Sequence, residues 1–123
     1  MHFLTYRAFC AATNKSYIGC TRKGMGARRA EHLQCAKDGK PGRFYDAIRQ
    51  YGERAFTWSV LDTYPNAAAM FAGERAMIAK YQTATMGYNT TLGGHNGHLN
   101  AVDRFYIHQG AHNARRKSGA PKR

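Results

Sequence analysis

Five side chains of this sequence have types and spacings that suit work on an oxyanion. Arg28 and His32 stand four residues apart in a run of helix formers, so they share one helix face and reach the same point in space. Tyr6 and Tyr17 fall in segments that read as the arms of a β-hairpin, from which both rings can project to one side. Glu74 is the anomaly. Counted at helical spacing, Ala67, Met70, Phe71, Glu74, Met77, Ile78 and Tyr81 form one stripe, and a single member is an acid. An unpaired buried charge costs several kcal/mol, so Glu74 needs a proton, a cation from the protein or a bound metal ion. Each residue also has an ordinary explanation: tyrosines half-bury on sheets, a helical arginine is usually solvated, a histidine is often satisfied in a core, and a salt bridge serves Glu74.

The composition states what such a site would meet. The chain has 123 residues, enough for one domain, and 19 Lys and Arg against 7 Asp and Glu give it a formal charge of +12. A partner built of phosphates is the first reading. Hydrophobic residues make up 43%, close to the ordinary globular range, so most of the chain is expected to fold. The longest wholly apolar run, Ala67 to Ala72, is far short of the ~18 residues a membrane span needs, and the order of residues from Met1 to Arg7 does not suit a secretory signal. A cytoplasmic protein without membrane contact is expected, nucleoid-associated in a bacterial or phage setting. Cys10, Cys20 and Cys35 are odd in number and lack a tight chelating pair, which argues for plain thiols over a disulfide framework or a zinc site.

The elements that must position these residues are legible in outline. Residues 3 to 10 and 16 to 20 read as strands around turn chemistry at Ala12 to Lys15. A loop with Gly24 and Gly26 leads to a helix over Ala27 to Lys37, ended by Asp38 to Gly42, and a second helix over Phe44 to Tyr51 stops at Gly52. Alternation at Phe56, Trp58 and Val60 gives a third strand over 56 to 61, and the longest helix spans Asn66 to Tyr81. A short extended piece and a tight turn are expected over Gly87 to Gly94. This order predicts an α+β fold: a small three-stranded, mainly antiparallel sheet flanked by helices, with a basic C-terminal tail.

Residues 1 to 94 are read as the folded domain and 95 to 123 as the tail. The tail holds His95, His98, His108 and His112 and six cations against the one acid Asp103. Leu99, Val102, Phe105 and Tyr106 suit a short docked helix, and Ala111 to Arg123 a loose basic arm. Irregular histidine spacing speaks against a metal site there. No dinucleotide-binding or Walker-type glycine pattern occurs, because Gly24 and Gly26 lack the required strand-to-helix context.

In its motifs the sequence resembles the GIY-YIG nucleases from about Leu4 to Gly94. Tyr17-Ile18-Gly19 stands as the second half of the name motif, eleven residues after Tyr6, the tyrosine of the first half. Arg28 with His32 is similar to the family's helix-borne pair, Glu74 to its metal-binding Glu, Asn89 in Gly87-Tyr88-Asn89 to its late Asn, and Ala47 to Gly52 to its mid-domain pattern. The first half reads Leu4-Thr5-Tyr6, so its glycine and isoleucine are absent while the tyrosine remains. Arg28 is preferred to Arg29 because it keeps the four-residue interval to His32.

The resemblance implies a metal-dependent DNA endonuclease that leaves 5′-phosphate and 3′-hydroxyl ends. Glu74 would bind Mg²⁺ or Mn²⁺, a hard cation that retains waters and takes substrate oxygens. Arg28 would clamp the scissile phosphate. A tyrosine would be general base, with His32 relaying or holding its proton, and Asn89 would steady the site. A phenol has a pKa near ~10 and needs nearby positive charge for that task. Tyr6 is favoured as the base, with Tyr17 orienting water or phosphate, and the sequence leaves that assignment open. Arg104, Arg115, Arg116 and Lys117 of the tail are expected on the nucleic-acid backbone. The rival readings are a basic nucleic-acid-binding protein that keeps this fold without cutting, and a His-rich metal-storing protein.

Overall fold

The computed structural model describes residues 3–91 and 93. The strands are β1 (Phe3–Cys10), β2 (Lys15–Thr21) and β3 (Phe56–Tyr64), and the helices are α1 (Met25–Lys37), α2 (Arg43–Tyr51), α3 (Ala67–Tyr81) and the single turn α4 (Thr83–Met86). A 3₁₀ turn at Glu53–Ala55 precedes β3. The architecture is α+β, as the sequence predicts. The expected tail elements, its histidines and the cations at 104, 115, 116 and 117 lie outside the described residues.

The hairpin forms because Asn14 adopts a left-handed φ of 61° and its amide donates to the Cys10 carbonyl at 2.8 Å, closing the turn. The sheet order is β2-β1-β3 with both pairings antiparallel, so β1 is central. That position explains why Leu4, Thr5, Tyr6, Ala8 and Cys10 are all buried. Helices α1 and α2 pack against each other, α1 also against β3, while α3 covers the sheet through β2, β1 and β3. Side-chain alternation then divides β1 between two faces: Tyr6, Ala8 and Cys10 turn toward α1 and α2, and Arg7 turns toward α3.

The core between the sheet and the first two helices gathers Ala8, Cys10, Ala36, Phe44, Ala47, Ile48, Phe56 and Tyr88. Helix α2 ends where Gly52 takes φ 85°, a conformation that the expected glycine stop supplies at little strain. Asn66 caps α3 by accepting from the Ala69 amide at 2.8 Å.

Four local expectations need correction. Helix α1 begins at Met25, two residues before the expected Ala27. Strand β3 continues to Tyr64, because a bulge opposite Thr5 and Tyr6 lets Leu61 slip out of register while Asp62, Thr63 and Tyr64 still pair with β1. Helix α4 follows Gln82, whose left-handed φ of 55° ends α3 and redirects the chain, a feature no residue type announces. No strand forms over the described part of 87–94. Instead the Tyr88 amide donates to the Ser16 carbonyl at 2.9 Å, and Asn89 covers the next residues of the exposed β2 edge with its side chain.

Candidate active site

The hairpin register opposes Tyr6 to Gly19 and Tyr17 to Ala8. Both phenols rise on the face toward α1, with ring centroids 6.3 Å apart. Gly19 is required there, since a Cβ at that position would overlap the Tyr6 hydroxyl and crowd the Tyr17 ring. The glycine of the Tyr17-Ile18-Gly19 motif is thus the seat of the other tyrosine.

Helix α1 brings His32 over that seat. His32 is 1% exposed, with Tyr17 at 5.3 Å edge-on, Phe44 at 5.1 Å and Trp58 at 5.9 Å between ring centroids. Its Nε2 lies 2.6 Å from the Tyr6 hydroxyl and its Nδ1 3.1 Å from the Tyr45 hydroxyl. Burial, and then the neighbouring Arg28 charge, depress its pKa to about 3, so the ring is neutral at physiological pH. A neutral imidazole has one donor and one acceptor. When Nε2 accepts from Tyr6, Nδ1–H donates to Tyr45.

Arg28 is half-buried on the same helix face, whereas Arg29 is exposed. Burial acts to lower the Arg28 pKa, but the Glu31 hydrogen bond and the phenols of Tyr6 and Tyr17 more than offset it. Glu31 accepts from Arg28 at 2.8 Å and from Lys23 at 2.5 Å; those cations, Lys23 foremost, hold its carboxyl at about 2. Arg28 is therefore pre-oriented by a surface acid that spacing alone did not single out.

Both phenols are protonated in this setting. Burial raises the pKa of Tyr6, Tyr17 adds to the rise, and Arg28 opposes it. Burial also raises Tyr17, followed by the negative charge of Glu74, again with Arg28 in opposition. Glu74 thus lies within electrostatic reach of the hairpin, as the α3 stripe requires. It is 7% exposed, and after burial it is the main influence raising the Cys20 thiol. Gly93 approaches its Oε1 so closely that a Cβ there would stand 3.1 Å away.

Arg75, off the expected apolar stripe, is buried beside Glu74 and draws the Cys20 pKa down. The stripe counted at helical spacing does not include it. Tyr45, Trp58 and Glu31 are the other neighbours the sequence reading missed. Of these, the Phe44-Tyr45 aromatic pair within a short helix was the available signal.

Asn89 is far from a proton-transfer role. Its Oδ1 accepts from the Ile18 amide and its Nδ2 donates to the Ile18 carbonyl, both at 2.8 Å. This double bond to the backbone fixes the residue between Tyr17 and Gly19, so Asn89 steadies the strand that carries both. Arg43 donates to the Asn89 carbonyl and holds the segment from its other side.

The antiparallel sheet with α1 and α2 on one face and α3 on the other is a fold already seen in a solved protein domain. The chain matches the solved catalytic domain of the intron endonuclease I-TevI, an alanine-for-glutamate mutant, with a TM-score of 0.69 at 20% identity over 76% of this chain and 98% of that one. No family model matches the sequence. No curated protein matches it either.

Proposed function

We propose that this protein is a metal-dependent DNA endonuclease that hydrolyses phosphodiester bonds to 5′-phosphate and 3′-hydroxyl ends. The observation that carries this reading is the hydrogen bond from the Tyr6 hydroxyl to a neutral His32 held inside the reach of Arg28 and beside Tyr17. Its presence on the fold of a nuclease catalytic domain adds to the argument.

Tyr6 is the proton acceptor we assign, because its hydroxyl has a neighbour to which its own proton can pass. As the attacking water gives a proton to the Tyr6 oxygen, Tyr6 passes its own to Nε2 of His32, and Nδ1–H stays bonded to Tyr45. Neither phenol needs to ionise beforehand, which suits pKa values raised by burial. Arg28 places a permanent, forked positive charge where negative charge grows on the phosphoryl oxygens. Tyr17 orients water or phosphate beside it.

Among the described residues no group of three or more His, Cys, Asp and Glu converges to form a protein cage for a metal. A hard divalent cation does not need one, since it takes one or two carboxylates and completes its shell with water and substrate oxygens. Glu74 is the residue that would hold Mg²⁺ or Mn²⁺. The ion would supply charge neutralisation at the phosphate and the leaving oxygen.

Plasmid nicking in Mg²⁺ or Mn²⁺, with 5′-end labelling of products, tests the proposal. Glu74→Ala is expected to reduce nicking by about 10²-fold or more. Absence of cleavage with every divalent ion tried, or undiminished cleavage by the purified variant, overturns it.

A further inference from the structure

The face of the sheet opposite the tyrosines carries an arginine that the proposed reaction does not use. Arg7 stands on the central strand, and its Nε donates to Ser16 Oγ at 2.8 Å. Its guanidinium carbon lies 4.7 Å from the Tyr81 ring centroid and 5.0 Å from that of Phe9. These neighbours fix the plane of the guanidinium and leave its two terminal nitrogens without a protein acceptor among the described residues. A half-buried charge of this kind usually has an acid beside it. None of the described ion pairs includes Arg7.

Arg7 borders a cavity of about 330 Å³ that also meets Lys15, Lys80, Ser16, Gln82 and Thr83, with no Asp or Glu among its described lining residues. Thr83 lines the floor at 2% exposed, its hydroxyl sealed from solvent and without a hydrogen-bond partner among the described residues. Three cations, one of them carrying a preset guanidinium fork, form a donor set with no carboxylate beside it among the described residues. An oxyanion with several acceptor oxygens satisfies that set, and a phosphate group fits best because its tetrahedral oxygens accept a fork and separate ammonium groups at once.

We infer that the cavity bounded by Arg7, Lys15, Lys80 and Thr83 is a phosphate-binding site on the far side of the sheet from Tyr6 and Tyr17. It stands independently of the nuclease reading, since none of its residues belongs to that site. The phosphate is either part of a polynucleotide backbone or a small phosphate ligand.

Inorganic phosphate titrated into the full-length ¹⁵N-labelled chain at constant ionic strength tests the inference by NMR. The Arg7 Nε–Hε signal and the amides of Gln82, Thr83 and Gly87 are expected to move saturably with phosphate and not with chloride. Lys15→Gln and Lys80→Gln, both exposed positions, are each expected to weaken binding roughly five-fold while leaving the spectrum of the fold intact. A short DNA duplex in metal-free buffer is the second arm. If it moves the same signals and phosphate competes with it, the source is backbone phosphate; if only inorganic phosphate moves them, a small ligand occupies the site, and both results support it. Shifts no larger with phosphate than with chloride, or equal affinity in both lysine variants and the native chain, overturn the inference.

Discussion

Asn89→Asp is the sharpest test of how the site is held. The side chain is 4% exposed and pairs with both backbone groups of Ile18, its oxygen on the N–H and its nitrogen on the C=O. The pairing itself fixes which end of the amide is which. Aspartate has nearly the same shape, so no cavity forms and packing is preserved. One oxygen still accepts from the Ile18 amide. The other now faces the Ile18 carbonyl, where a donated bond becomes a repulsion between two acceptors on a buried charge. Losing the bond and desolvating the carboxylate together cost about 3–5 kcal/mol near neutral pH. Asn89→Ala, which leaves both Ile18 groups unpaired, costs about 2–4 kcal/mol. The near-isosteric substitution is therefore expected to be at least as damaging as the truncation.

Urea unfolding followed through Trp58, the single tryptophan of the chain, reads both values. The pH dependence separates this explanation from a general loss of packing. With no donor opposite it, the introduced carboxyl has a folded-state pKa above its unfolded value near ~3.9, so the folded variant binds the extra proton and its deficit against the native chain shrinks as pH falls. Protonation restores a donor to the Ile18 carbonyl. A variant that unfolds within about 0.3 M urea of the native protein at neutral pH, or a deficit that does not shrink on acidification, refutes the reasoning.

Gly19→Ala places a methyl group where the Tyr6 hydroxyl lies; nicking is expected to fall about 10²-fold or more with the Tyr6–His32 bond displaced, and native rates in a folded variant would show that the seat is unimportant. His32 is held neutral with a folded pKa of about 3 against 6.5 in the unfolded chain, so its contribution is complete above the unfolded value and is lost as pH falls through that interval. The loss amounts to about 5 kcal/mol at most; ring ¹⁵N shifts that titrate near the ordinary histidine value in the folded protein would contradict it. Replacing Arg104, Arg115, Arg116 and Lys117 by Gln is expected to flatten the slope of log affinity for DNA against log salt by about 0.9 for each phosphate these side chains neutralise, and an unchanged slope in a binding titration would remove the tail from the interface.

The sequence by itself determined the types of the functional groups and their place within elements. Arg28 and His32 had to share a face because a helix repeats every ~3.6 residues, and the same periodicity turned Glu74 inward. Alternation and turn chemistry likewise determined the hairpin and the third strand. The tertiary structure decided what no local pattern contains: that Tyr6 lies over Gly19, that His32 spans Tyr6 and Tyr45, and that Asn89 reaches back to Ile18 across 71 positions of chain. Arg75 shows the limit most plainly, since a charge off the apolar stripe reads as solvated until another segment packs over it. Periodicity is a property of one segment and can be read from its residues. Register between strands, and the burial that sets each pKa, belong to pairs of segments brought together by the whole fold.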